Sequence, residues 1–353
     1  MRKLKRYISR TVSSSVFIVL LVIVALDTIS ALVDQLGNMN AQYGMADVVF
    51  TVVMEIPASI YEYLPLSCLV GCLIGLGVLA SSSELVVIRA SGVSVRQIIW
   101  AVMRPIFIFI VAGVLMGEYV SPYANQLADS FRTLSRETTD SSQAKRGHWN
   151  REGNEYMHFN AVLPNGKLFG ITRYQFDDEG VLLETSYVES AIYQGNHWFE
   201  ENGIVTSFGA EKVEQFTFTT REWHTEVSPE LLNVLVLETN DLPMQRLKSY
   251  ADYLDRQGLD SSEYRLIFWR KALQPLATTS LVVIAISFIL GPLRQTTMGF
   301  RVFIGVIVGL IFQSSQQILA PTSYLMGFSP MYAVLVPIAI SFLLGLALIK
   351  KSQ

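Results

Sequence analysis

The chain has 353 residues, 51% of them hydrophobic, a mean hydropathy of +0.37 and a formal charge of −3. That is too apolar for an ordinary soluble enzyme. The charge is also unevenly spread: Asp129 to Glu263 holds 23 acidic and 12 basic residues, net −11, against 7 and 15, net +8, elsewhere.

Six runs are long enough, or nearly so, to cross a hydrocarbon core about 30 Å thick, which takes roughly 20 helical residues. They fall at Val12–Gln35, Ile56–Ala80, Ile98–Val120, Ile267–Leu290, Val302–Ala320 and Pro330–Ile349. The first is too long for a signal-peptide core and no small-residue cleavage site follows it, so a retained anchor is expected. Basic residues gather at Arg2, Lys3, Lys5, Arg6 and Arg10, then at Arg89, Arg96 and Arg104, at Arg294 and Arg301, and at Lys350-Lys351. With alternating spans these four places share one side, so both termini are expected in the cytoplasm.

Span 1 carries Asp27 and Asp34, seven residues apart, and span 3 carries Glu118 at its outer end. Charges inside spans are costly and tend to be functional; these fit either interface positions or the polar wall of a cavity. Asp47–Tyr63 leads into span 2 with Pro57 and Pro65, which predicts a kinked or two-part helix. Span 2 then has Ser67, Gly71 and Gly75, and span 5 has Gly305 and Gly309, small residues at helical spacing that let backbones approach closely. The partner is either another span of this chain or a second membrane subunit. Cys68 and Cys72 read as small apolar residues of a helix.

Between spans 2 and 3 lies SSSELVVIRASG, Ser81–Gly92. Ser81-x-x-Glu84 matches a capping box. A short helix over Glu84, Leu85, Ile88 and Arg89, ended by Gly92, would present a carboxylate and an apolar patch to a cytoplasmic partner.

Residues 129–262 read as β. Apolar and polar residues alternate through Tyr156–Val162, Leu168–Phe176, Val181–Ala191 and Phe216–Phe218. Turn signals stand at Pro164-Asn165-Gly166, Asp177–Gly180, Gly195-Asn196 and Glu201-Asn202-Gly203. A sandwich, barrel or jelly-roll is expected. Met244–Gln257 follows as an amphipathic helix with Leu247, Tyr250, Ala251 and Leu254 on one face and Gly258 as its stop. His148, His158, His197 and His224 match no compact metal site, and no Walker, G-x-S-x-G or H-E-x-x-H motif occurs. Arg265, Arg270 and Lys271 enter span 4 from outside, to meet either anionic lipid or the acidic insert. Gln313, Ser314, Ser315, Gln316 and Gln317 crowd the outer end of span 5.

The fold expected is therefore a membrane α-helical protein of six transmembrane helices, three plus three, around an inserted all-β domain. Its parts are residues 1–128 with a loop helix at 81–92, residues 129–262, and residues 263–353.

SSSELVVIRASG and FILGPLRQTTMGFRVFIG, Phe288–Gly305, with WRKALQPL, Trp269–Leu276, and VDQL, Val33–Leu36, resemble the LptF/LptG permeases over nearly the whole chain. The resemblance implies an inner-membrane permease subunit of an ABC transporter that extracts lipopolysaccharide and passes it to a periplasmic bridge. It implies a periplasmic β-jelly-roll, the paralogous permease LptF, two copies of the ATPase LptB, and LptC as partners. The chain itself then holds no cofactor, and ATP and Mg belong to LptB. Glu84, Leu85, Ile88, Arg89 and Gly92 would form the coupling helix. Asp27, Asp34, Arg301, Gly305, Gly309, Gln313 and Gln317 would line the substrate cavity and gate, and Phe159, Phe169, Ile171 and Tyr174 are candidates for an acyl-chain slot. Ala31 stands where the family pattern has a lysine. Two other readings remain at this stage: an envelope scaffold, which needs no coupling loop, and a lipid-modifying enzyme, which needs a polar catalytic cluster.

Overall fold

The computed structural model describes residues 2–37, 39, 43–137, 148–162, 167–194, 197–209, 212–225, 239–256, 260–291 and 296–351. The expected turns at Pro164–Gly166 and Gly195-Asn196, the stop at Gly258, and Arg294 lie outside these.

The helices are α1 (Arg2–Leu36), α2 (Met45–Ser81), α3 (Glu84–Ala90), α4 (Val95–Leu115) running through a π turn at Met116–Val120 into α5 (Ser121–Glu137), then α6 (Met244–Arg256), α7 (Ser262–Leu290), α8 (Met298–Met326) and α9 (Pro330–Lys351). Six of these helical segments are long and apolar enough to cross a membrane. They outrun the apolar runs that predict them because backbone hydrogen bonding continues past the last apolar side chain. Pro57 and Pro65 do not split α2, which is continuous over 37 residues.

The chain divides into two compact units. One comprises Met1–Ser30, Ile56–Val120 and Pro243–Gln353; the other comprises Ala31–Glu55 and Ser121–Leu242. In the first, α1, α2, α4, α7 and α9 share one apolar core that includes Val12, Val16, Leu69, Leu73, Val102 and Val282. Leu247, Ala251 and Leu254 of α6 are buried as their spacing predicts. Arg265 at the start of α7 pairs with Asp252 and Asp255 of α6, so one of the three cations entering this helix is held by the helix before it. Lys271 is buried, with its ammonium 5.8 Å from the Tyr61 ring centre.

In the second unit, β1 (His148–Glu152), β2 (Glu155–Val162), β3 (Lys167–Phe176), β4 (Leu182–Gln194), β5 (His197–Phe208) and β6 (Val213–Trp223) form one antiparallel sheet in sequence order. Asp177 builds the β3–β4 turn: its Oδ1 accepts from the Glu179 and Val181 amides, and Gly180 takes φ +83°. Glu201-Asn202-Gly203 is not a turn; β5 continues through it, with Asn202 at φ +54°.

That residue belongs to a crease. Pairing skips Asn160–Gly170, Gly170–Glu189, Glu189–Asn202 and Asn202–Thr219, one line across four ladders. Burial shifts by one residue at this line. On β3, Leu168 before it and Ile171 after it are both fully buried, as are Ala191 and Val188 on β4. On β5, Trp198 and Glu200 precede it and Gly203 and Val205 follow. Strict alternation would place each such pair on opposite faces. The crease instead keeps them on one face and folds the sheet over itself, so a single meander supplies both layers. Phe159 on one layer lies 6.4 Å from Trp223 on the other, ring centre to ring centre. No Greek-key crossover occurs among the described strands. The antiparallel β domain is therefore built in meander order.

The two layers are joined by charge. Arg173 reaches Glu200 across the fold at 2.9 Å and Glu155 on its own layer at 2.9 Å, and lies 4.9 Å from the Trp223 ring centre. Arg221 donates to Glu200 at 2.7 Å and meets Glu184 at 3.7 Å. Glu200 has no solvent exposure.

On the other face, His158 is buried under Trp149, 4.9 Å away. Burial holds its imidazole below the ordinary value. The unfolded chain then takes up a proton that the folded one refuses, so stability falls as pH drops below about 6.5 and levels off below the folded value. Tryptophan-monitored melting of the full-length protein should therefore show the β domain less stable at pH 5.5 than at 7.5. His158→Gln should reduce that slope.

Candidate functional site

The helix α3 is a short helix of about two turns carried between α2 and α4. It starts differently from the capping-box expectation. The residue before it is Ser83, in left-handed conformation at φ 60°, and no side chain caps the helix. The Ser81 and Ser82 hydroxyls donate backwards to the Val78 carbonyl at 2.9 and 3.1 Å. Because α2 runs on to Ser81, its last carbonyls capture those hydroxyls first. The C-terminus behaves as expected: the Ser91 amide bonds the Val87 carbonyl, and Gly92 takes φ +86°.

The apolar side of α3 is also reversed from the expectation. Leu85 and Ile88, three apart and so on one face, are buried in the chain's own core. Val86 and Val87 point outward, 42% and 66% exposed. Glu84 and Arg89 are half-buried, and Arg89 lines a small recess with Ala80, Leu85, Val86, Ile289 and Leu290. The Glu84 carboxylate lies close enough to the Tyr7 hydroxyl of α1 to interact with it. Tyr7, Val86 and Val87 escape a sequence reading. In a helix apolar on both sides, periodicity does not say which side the core takes, and Tyr7 is remote in sequence.

The small residues of α2 and α8 pack within the chain. A Cβ on Gly71 would sit 2.5 Å from the Val16 Cα of α1, and one on Gly75 3.0 Å from the Val12 Cα. Gly305 and Gly309 of α8 face Leu73 and Leu66 of α2 at 2.4 and 2.3 Å by the same construction. Arg301 is 2% exposed and donates to the Gly77 carbonyl at 2.7 Å. It is enclosed by protein. Asp27 accepts from Ser59 at 2.6 Å and Tyr63 at 2.9 Å, a polar tie between α1 and α2. Asp34, Gln313 and Gln317 are exposed. Glu118, in the π turn, accepts from the Met244 amide at 2.9 Å and so caps α6. Ala31 packs against the cluster of Tyr43, Val48 and Val52.

Of the slot candidates, Phe159 and Ile171 are opposite each other and fully buried between the layers. Phe169 and Tyr174 fall on the other face. The Lys167 ammonium lies 5.2 Å from the Phe169 ring centre, and Tyr174 stacks on Trp149 at 6.0 Å. Among the described residues, no three His, Cys, Asp or Glu side chains group as a metal site.

Six candidate spans around an inserted β domain, with a loop helix after the second, define a multi-pass membrane protein. The chain belongs to the lipopolysaccharide export system permease LptF/LptG family, whose family model matches residues 6–351. It is 30% identical over 354 residues to the lipopolysaccharide export system permease protein LptG of Escherichia coli (strain K12), covering 99% of this chain and 98% of that protein. It is 29% identical over 337 residues to LptG of Haemophilus influenzae, covering 95% and 94%.

Proposed function

We propose that this chain is one of two permease subunits that draw lipopolysaccharide out of the inner membrane and pass it to a periplasmic bridge, driven by an ATPase docked on α3. Family membership and the names of the relatives support this reading. The observation that carries it is α3 itself: Val86 and Val87 stand exposed beside the Glu84 carboxylate, on a helix whose other face is anchored in the core. The basic loop ends support a cytoplasmic position for α3 and both termini and a periplasmic one for the β domain. Two LptB subunits, the paralogue LptF and LptC complete the assembly. The chain contributes no cofactor; ATP and Mg belong to LptB.

The spans differ in a way that fits a paired permease. Only 17% of the apolar window of α1 and of α8 is buried within this chain, against 67% for α2 and α7. Helices α1 and α8 therefore offer their faces to the second permease, and lipid enters between them. The β layers, which now close on Phe159 and Ile171, would part to receive acyl chains.

Glu84→Ala should weaken ATPase binding by on the order of 2–5 kcal/mol, because a carboxylate contact in a partly buried groove is lost. Copurification of LptB and ATP-dependent lipid release should both fall while the spans still insert. Wild-type levels of both would reduce Glu84 to a local structural residue.

A further inference from the structure

A buried cation is costly in a membrane helix, and the chain carries one at Arg301 in the first turn of α8. Its Nη1 donates to the Gly77 carbonyl of α2 at 2.7 Å. The site is shaped for it: a Cβ at position 77 would stand 2.9 Å from that nitrogen and 3.3 Å from the Arg301 Cδ. The contact continues along both helices. Gly305, four residues on, lies over Leu73, four residues back, and Gly309 lies over Leu66 with Leu69 beyond. Residues four apart share a helix face, so this is one antiparallel seam. Below Arg301 the seam is glycine against leucine, which resists sliding only by shape. The arginine–carbonyl bond is directional and sets the register.

The seam ends next to α3. Gly77 is four residues from the end of α2, and Ser81 and Ser82 bond back to Val78, so helix α2 stays intact up to the loop. We propose that Arg301 is a positioning residue that makes α2 and α8 a single lever, delivering displacement of α3 by the ATPase to α8. This rests on the reading of α3 as the ATPase contact.

The test uses the reconstituted complex. Arg301→Met should lower lipid released per ATP hydrolysed at least tenfold. Arg301→Lys keeps one donor and should recover most of that ratio. Gly77→Ala should reproduce the loss from the other side by displacing the guanidinium. The second readout needs no transport. Spin labels at Val78→Cys and Phe303→Cys, both exposed positions, in a chain with Cys68→Ala and Cys72→Ala, report the α2–α8 distance. One narrow distance, the same without nucleotide, with ATP and with vanadate, is expected, and Arg301→Met should broaden it. A distance that changes with nucleotide while Arg301 is present would overturn the lever. So would an unchanged ratio in Arg301→Met and Gly77→Ala. Glu84→Ala run in parallel separates the two ideas. If it leaves ATPase binding and export intact, the docking reading fails. If it impairs them while the Arg301 and Gly77 variants do not, only the lever fails.

Discussion

Arg173→Met should destabilise the β domain by about 3 kcal/mol or more, measured by denaturant unfolding of the full-length protein with tryptophan fluorescence. Removing one partner of a buried ion pair costs about 3–5 kcal/mol because the other charge is left uncompensated. Here the abandoned group is Glu200, fully enclosed between the layers. Arg221 remains at 2.7 Å, which holds the loss toward the lower end of that range. The substitution also releases Glu155 and uncovers the Trp223 ring. Tryptophan is a direct reporter, since Trp149, Trp198 and Trp223 all lie in the sheet. Burial already raises the Glu200 carboxyl above the ordinary carboxylate value, although the Arg173 charge pulls it down. Without Arg173 it rises further. A carboxyl raised in the folded state contributes stability that is present below its unfolded value, about 4.3, and is lost as pH rises through the folded value. The deficit of the variant should therefore grow from acid toward neutral pH. Arg173→Met with Glu200→Met should recover part of the loss, because no carboxylate is then left uncompensated between the layers, while Arg221 gives up Glu200 and keeps Glu184 at 3.7 Å.

Gly71→Leu should prevent α1 from docking on α2. The added Cβ alone would meet the Val16 Cα at 2.5 Å, Cγ2 at 2.7 Å and amide nitrogen at 2.8 Å. Two of these are backbone atoms, so no rotamer change relieves the clash and the helices must separate. Overpacking in a core costs about 1–3 kcal/mol when side chains can adjust; a clash with backbone should exceed that. The expected result is a large fall in the detergent-solubilised melting temperature and in monodisperse yield. Gly299→Leu is the control. It places the same side chain on a helix where nothing lies within 4 Å of the new Cβ, and it should leave both measurements near wild type. A wild-type melting temperature for Gly71→Leu would mean that α1 and α2 are not packed at this position.

Much of this architecture is written in residue type and spacing. The six spans follow from apolar length alone, because a hydrocarbon core admits little else. Strands β2, β3 and β4 follow from alternation, α6 from a helical period, and the family from the loop and the Phe288–Gly305 segment. The strands β1 and β5 do not. His148–Glu152 is nearly all polar, and β5 carries Glu201-Asn202-Gly203, which reads as a turn until its neighbours pair on both sides.

The misplaced details have one cause in common: each depends on which of two equivalent faces a neighbour covers. Helix α3 has apolar residues at Leu85 and Ile88 and again at Val86 and Val87; the core took the first pair. Gly305 and Gly309 permit a close neighbour without naming it, and the neighbour is α2. Phe169 looks equivalent to Ile171 until the crease at Gly170 and Asn202 shifts the alternation by one residue, whereas Tyr174, three residues beyond Ile171, falls on the other face by alternation alone. Local chemistry sets how many spans the chain makes and which of its strands alternate, since hydrogen bonding and apolar length act over a few residues. The side each one buries is decided by packing between residues far apart in the chain, and a single residue out of phase reverses it.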